Sequence, residues 1–228
     1  MIRLEQINKT FGANKVLNGI SFDFAVSLTH GIIGLNGTGK TTFFNILGTF
    51  LKPDGGEIFF NDKKISRDDV AYLETTNFFY PNITGKEYLE IFPSSNRQFD
   101  LAKINRLLKL PLDEITETYS TGMKKKLALL AIIKQDKPIY IFDEPFNGLD
   151  LETNMALEII LKNLKSKEKT IFISSHILSP LIHVCDHIHL LQQGNFSKNY
   201  ARDQFGNIET ELFADYHQRA AEIISGSI

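Results

Sequence analysis

Apolar and polar side chains alternate over the first eight residues, with Ile2, Leu4 and Gln6 on one face, which predicts a half-buried strand over 2–8. Ile20 to Phe24 predicts a second strand after a turn at Asn18-Gly19. Val26 to Leu28 and Gly31 to Leu35 are short apolar stretches leading into a glycine-rich segment, after which a helix is expected from Lys40 to about Phe50. Pro53-Asp54-Gly55-Gly56 reads as a turn and Glu57 to Phe60 as a strand. The first quarter is therefore β-rich. The middle changes period: Gly85 to Phe92, Asp100 to Leu110 and Thr121 to Lys134 read as helices, the first two parted by a polar linker at Pro93 to Arg97. The third ends before Pro138, which cannot continue a helix.

From there strands and helices alternate. Ile139 to Phe142 and Thr170 to Ser174 are short apolar runs of the kind buried on both faces of a parallel sheet. Leu151 to Lys165 and Leu178 to Cys185 read as helices. His187 to Leu191 reads as a strand closed by the turn Gln193-Gly194-Asn195, and Glu209 to Ile224 as a peripheral C-terminal helix. Alternation of this kind predicts an α/β core.

Composition narrows the class. With 228 residues, 43% hydrophobic and 23% charged, the chain is long enough for a real core and too apolar for disorder. Twenty-five basic against 27 acidic residues leave a net charge of −2, which gives no electrostatic footprint for nucleic acid. The single cysteine, Cys185, excludes an intrachain disulfide and a cysteine-built zinc site. The longest wholly apolar run, Leu127 to Ile133, is far short of the about 18 residues that a membrane span needs. Arg3 and Glu5 interrupt the place where a signal peptide is apolar, so the expectation is a protein neither secreted nor membrane-spanning on its own.

Two motifs carry chemistry. Gly34-Leu35-Asn36-Gly37-Thr38-Gly39-Lys40-Thr41 fits G-x-x-x-x-G-K-[ST] and stands between an apolar strand and a helix, as that pattern requires. Glycines let backbone N–H groups turn inward around phosphate oxygens, and the helix N-terminus adds partial positive charge. Lys40 offers a point charge for the outer phosphates and Thr41 a hydroxyl for magnesium. The second motif is the run Ile139-Tyr140-Ile141-Phe142, ending in Asp143-Glu144. An acidic pair closing a buried strand is costly unless it meets a cation. Asp143 is the candidate magnesium holder, and Glu144 the group that accepts a proton from, or orients, an attacking water.

Further segments, in order, give a family resemblance. The chain resembles the ATP-binding subunits of ABC transporters along nearly its whole length. Phe11, in Lys9-Thr10-Phe11-Gly12, matches the aromatic that stacks on adenine. Tyr119-Ser120-Thr121-Gly122-Met123 matches the signature L-S-G-G-Q, with Ser120 and Gly122 kept. Asn147-Gly148-Leu149-Asp150 matches the loop after the catalytic glutamate, and His176, in Ile173-Ser174-Ser175-His176, the histidine that contacts the γ-phosphate. Tyr72 to Gly85 is similar to the segment that meets the membrane partner. There the family has a glutamine that contacts magnesium and relays to the permease; this chain has Thr75, beside Glu74.

The resemblance implies an α/β fold, a P-loop NTPase core of RecA type with an N-terminal antiparallel β subdomain and a helical signature subdomain. It implies one domain over 1–228, divided into a β-rich part with the P-loop (1–75), a helical subdomain (76–136), the rest of the core (137–200) and a C-terminal tail (201–228). The implied activity is ATP hydrolysis, with Glu144 and His176 catalytic. ATP is expected on Phe11, Gly34, Leu35, Asn36, Gly37, Thr38, Gly39, Lys40, Thr41 and Thr42, with Ser120, Gly122 and Asp150 also assigned to nucleotide; magnesium is expected on Thr41 and Asp143. The implied partners are an integral membrane permease docking near Phe78 to Thr84 and a second ATP-binding subunit, identical or homologous, with no nucleic acid. Phe78, Phe79 and Tyr80 are either core or that docking site. The implied location is cytoplasmic, on the inner face of the membrane through the permease, with export favoured over import. The alternative is a soluble ATPase of this type without a permease; a single P-loop and the lack of a heptad run stand against it. An inactive scaffold is disfavoured by the presence of Lys40, Thr41, Asp143, Glu144 and His176.

Overall fold

β1 (Ile2–Phe11) and β2 (Asn14–Phe24) form an antiparallel hairpin. The alternation of β1 breaks at Gln6, where φ is 52° and the register shifts between Leu4 and Ile7. This bulge turns Ile7 into the core, so the inner face holds Ile2, Leu4 and Ile7 rather than the expected Gln6, whose side-chain amide donates to Ser21. Asn18-Gly19, expected as a turn, is also an irregularity within a strand: Gly19 sits at φ 63° where the register shifts again, and the chain reverses instead between Phe11 and Asn14. The computed structural model describes residues 1–94, 99–208 and 210, so the helix expected over 209–224 lies largely outside the described residues.

β4 (Gly55–Phe60) and the short β5 (Lys63–Lys64) complete a four-stranded sheet of order β2-β1-β4-β5. The second sheet takes β3 (Thr29–Ile33), β6 (Val70–Leu73), β7 (Ile139–Asp143), β8 (Thr170–Ser175), β9 (His187–Gln192) and β10 (Asn195–Ala201) in the order β10-β9-β3-β8-β7-β6. All neighbours are parallel except β9 and β10, which form a hairpin over Gln193-Gly194, both with positive φ. β6 and β10 were not expected as strands. β6 is only four residues long, and β10 is a largely polar edge strand whose composition hides its pairing.

The helices are α1 (Lys40–Leu47), α2 (Gly85–Glu90), α3 (Leu101–Leu108), α4 (Thr121–Lys134), α5 (Leu151–Ser166) and α6 (Leu178–Val184). α1 stops short of the expected Phe50 because Gly48 caps it and Thr49 takes φ 61°. The central strand β7 serves two cores at once. Ile139 and Ile141 join the apolar filling between the two sheets, with Phe24, Phe43 and Phe44. Tyr140 and Phe142 face the opposite side, with Leu157 and Leu161 of α5. A third core, of Tyr88, Leu89, Leu127 and Leu130, holds the helical part together. Among the described residues no helix is long and apolar enough to cross a membrane.

Candidate nucleotide site

Four parallel strands end at one edge of the second sheet, and each delivers chemistry there. β3 runs into the glycine-rich loop, β7 ends in Asp143, β8 leads to His176, and β6 leads to Thr75. In such sheets ligands lie beyond the carboxyl ends of the strands. β8 lies between β3 and β7, pairing Ser175 with Ile33 and Ser174 with Asp143, so the loop, the acids and the histidine are neighbours by register.

The glycine-rich loop folds as the motif demands. Gly37 and Gly39 have φ of 82° and 101°, which favour glycine. A Cβ on Gly34 would stand 2.6 Å from the Leu191 carbonyl oxygen, so only glycine fits there without a shift. Thr38 Oγ1 donates to the Leu35 carbonyl at 2.9 Å. Lys40 is buried and its Nζ donates to the carbonyls of Gly34 at 2.7 Å and Leu35 at 3.2 Å. Burial lowers its pKa, and the nearby charges of Glu144 and Asp143 offset this only in part.

The acidic pair is fixed by hydroxyls. Thr41 Oγ1 donates to Asp143 Oδ2 at 2.7 Å, Thr75 Oγ1 to the same oxygen at 2.9 Å, and Ser174 Oγ to Oδ1. The Glu144 carboxylate lies 3.0 Å from His176 Nδ1, accepts from Asn147 Nδ2 at 3.2 Å, and stands 3.9 Å from Lys40 Nζ. The donors around Asp143 are all hard oxygens, one carboxylate and two hydroxyls at the cleft. This set suits magnesium, which takes one or two carboxylates and completes its shell with water and phosphate oxygens. No cluster of three or more His, Cys, Asp or Glu able to hold a metal occurs among the described residues.

A cleft of ≈ 460 Å³ opens here. Of the residues expected to bind nucleotide, Asn36, Gly37, Gly39, Lys40, Thr41 and Thr42 line it, together with Glu144 and His176. Asp143 reaches it through Thr41 and Thr75. Phe11 is half exposed near the hairpin tip, with Lys9 Nζ 5.4 Å from its ring centroid, and is not among the lining residues, whereas Val16 is. Ser120, Gly122 and Asp150 also lie outside the lining. Ser120 caps α4, accepting from Met123 N–H at 3.2 Å, and Asp150 caps α5, accepting from Thr153 N–H at 2.7 Å, a bond that lowers its pKa. A second cleft of equal volume, between α3 and α5, is mainly apolar and holds none of these residues.

Sequence reasoning left the loop glutamine's replacement open. Thr75 points at Asp143 and lines the cleft, while Glu74 lies away from it, beside Phe78 and Tyr80. Val16 and Lys125 were not singled out, and Asn147 and Ser174 entered only as members of matched segments, with no role of their own. Lys125 Nζ donates to the carbonyls of Glu144, at 3.1 Å, and Asn147. Nothing in the sequence marks a serine inside an apolar strand, or one lysine among three at a helix start, as belonging to a site.

The comparisons with known proteins agree with one another. A family model described as ABC transporter matches residues 17–147. The lantibiotic transport ATP-binding protein SrtF of Streptococcus pyogenes is 28% identical over 221 residues, covering 93% of this chain and 96% of that one. The Nod factor export ATP-binding protein I of Burkholderia orbicola (strain AU 1054) is 29% identical over 210 residues, covering 85% and 68%. A solved ATP-binding subunit of an ABC transporter superposes with a TM-score of 0.76 at 27% identity, over 90% of this chain and 93% of that one.

Proposed function

We propose, from the premise that this chain belongs to the ABC transporter family and is one of its ATP-hydrolysing ATP-binding proteins, that it pairs with a second such subunit and drives a separate membrane permease in the direction of export. The observation that carries the site assignment is the convergence of Lys40, Thr41, Asp143, Glu144 and His176 on one cleft.

In this reading the backbone N–H groups of 37–41 and the Lys40 ammonium hold the phosphates of ATP. Thr41 and Asp143 hold magnesium, which when bound neutralises charge on the phosphate oxygens. Glu144 orients the attacking water and accepts its proton, and His176, 3.0 Å away, fixes the carboxylate that does so. Phe11 stacks on the adenine, a contact its half-exposed ring leaves open. The signature residues Ser120 and Gly122 are assigned to the nucleotide of a partner subunit. Ser120 and Gly122 lie at the N-terminal end of α4, where free N–H groups and the helix dipole favour an anion.

The permease surface is assigned to the groove of ≈ 400 Å³ beside Phe78, Tyr80 and Phe50. Phe78 and Tyr80 are 71% and 51% exposed, and their rings meet edge to face at 5.0 Å, an apolar pair with no cover in the free chain. The location follows: peripheral, on the cytoplasmic face, through that partner. Export is favoured by the relatives named for lantibiotic transport and Nod factor export.

The test is a tagged pull-down from detergent-solubilised membranes of the native cell. Recovery of one multi-span protein in near-equal amount is the expected result. Recovery of ribosomes, DNA or nothing, with ATPase activity intact, overturns the permease assignment.

A further inference from the structure

Glu144 holds a left-handed backbone, with φ of 50°. Such a conformation is costly for any residue with a side chain and persists only where its surroundings impose it. Both peptide groups of Glu144 are held by side chains from other elements. Its N–H donates to Ser174 Oγ at 2.8 Å, and its carbonyl accepts from Lys125 Nζ at 3.1 Å.

The two holders differ in kind. Ser174 belongs to β8 and is fully buried. Its hydroxyl takes the N–H of Glu144 and gives its own proton to Asp143 Oδ1, so one oxygen ties together both members of the acidic pair. Lys125 belongs to α4 and also donates to the Asn147 carbonyl, which closes the turn from the other side. It thereby ties the helix whose start holds Ser120 and Gly122 to the turn that carries Glu144. Neither Ser174 nor Lys125 lines the cleft.

We propose that Ser174 and Lys125 are positioning residues that clamp the backbone of Glu144 from both sides and so aim its carboxylate at the cleft. The left-handed backbone sets where Cβ points, while His176 and Asn147 hold the carboxylate at its far end. The inference rests on the reading of Glu144 as the group that handles the water's proton. Misplacing such a group by about an ångström costs roughly a hundredfold in rate.

The experiment measures steady-state ATP hydrolysis, fluorescent-nucleotide binding and thermal melting for Ser174→Ala, Lys125→Met, Ser174→Thr and Lys125→Arg. Glu144→Gln runs beside them. The expected result for Ser174→Ala and Lys125→Met is a kcat lower by roughly 10- to 100-fold, with KM and nucleotide affinity within about twofold of the parent. Ser174→Thr keeps the hydroxyl and Lys125→Arg keeps the cation, and both are expected to recover activity to within about threefold. Parent-level kcat in Ser174→Ala and Lys125→Met, with Glu144→Gln inactive, overturns the clamp and leaves the role of Glu144 standing. Joint loss of kcat, affinity and melting temperature without rescue by Thr or Arg also overturns it, since that is the mark of a structural role. Hydrolysis by Glu144→Gln at the parent rate overturns instead the reading of Glu144 itself.

Discussion

Oγ1 of Thr75 lies 2.9 Å from Oδ2 of Asp143, the same oxygen that Thr41 reaches at 2.7 Å. A two-carbon hydroxyl side chain thus arrives where the family's longer glutamine would be expected. It does so by contacting the carboxylate directly. Thr75 follows β6, the edge strand paired in parallel with β7, and that pairing carries it to the end of the strand that bears Asp143.

Thr75→Val keeps the shape and removes the hydroxyl. A hydrogen bond to a charged group is worth about 1.5–3 kcal/mol, so the melting temperature is expected to fall by several degrees and the magnesium concentration for half-maximal ATPase to rise roughly tenfold. A magnesium titration at saturating ATP reads this out. An unchanged titration curve removes Thr75 from the metal's surroundings.

Lys40→Ala is expected to weaken nucleotide binding by roughly a hundredfold or more, because a buried ammonium is lost from the phosphate cradle. Glu144→Gln keeps the size and the neighbours His176 and Asn147, and is expected to bind ATP normally while hydrolysis falls by roughly 10²–10⁴. The second variant, given ATP, is expected to elute as a dimer in gel filtration. Elution as a monomer at all ATP concentrations counts against paired subunits.

The three adjacent aromatics divide unequally. Phe79 is partly buried, with its ring stacked on Tyr88 at 4.7 Å, whereas Phe78 and Tyr80 face outward. Phe79→Ala is therefore expected to destabilise the fold by about 3 kcal/mol. Phe78→Ala and Tyr80→Ala are expected to shift stability by no more than about 0.5 kcal/mol. They are expected to keep basal ATPase activity and to lose stimulation by the permease. Chemical denaturation separates the first variant from the other two, and ATPase assays with and without the reconstituted permease test the rest.

How far the sequence could reach follows from the kind of signal each part emits. The P-loop and the Asp143-Glu144 strand end are contiguous, so spacing alone exposed them, and the buried runs of β7 and β8 were legible because both faces are apolar. Gln6, read as an inward-facing strand position, and Asn18-Gly19, read as a turn, are bulges, where one residue at positive φ shifts the register without changing composition. Thr75, Ser174 and Lys125 reach the site only through tertiary pairing. Thr75 is brought by β6 next to β7, Ser174 by β8 on the other side, and Lys125 by the packing of α4. None of the three has a local pattern that distinguishes it from an ordinary strand, loop or surface residue.

His30 and His189 form a hydrogen-bonded pair buried between the sheets, and their tautomers follow from their partners. His30 Nε2 is 2.8 Å from the Ala25 carbonyl, which only accepts, so it carries the proton. His30 Nδ1 is then bare and accepts from His189 Nε2–H at 3.0 Å, leaving His189 Nδ1 bare, buried and without a partner. A proton added to His30 Nδ1 would set donor against donor. The rings pack among Phe24, Phe172 and Phe196, with His187 adding repulsion and Asp186 a weaker attraction at His30. Burial accordingly lowers His30 to about 4 and His189 to about 2. Both values lie below the ordinary 6.5, so the unfolded chain binds more protons between that value and the folded pKa, and stability falls as pH drops through this window. It is complete above about 6.5, and His30 alone accounts for a loss of about 2 kcal/mol between pH 7.5 and pH 5. Urea unfolding at those two pH values is expected to show a drop of at least that size in the parent. The drop should shrink markedly in the double variant His30→Leu, His189→Leu, whatever its stability at pH 7.5. An equal drop in parent and double variant would move the acid sensitivity to other groups and leave this pair without a role in it.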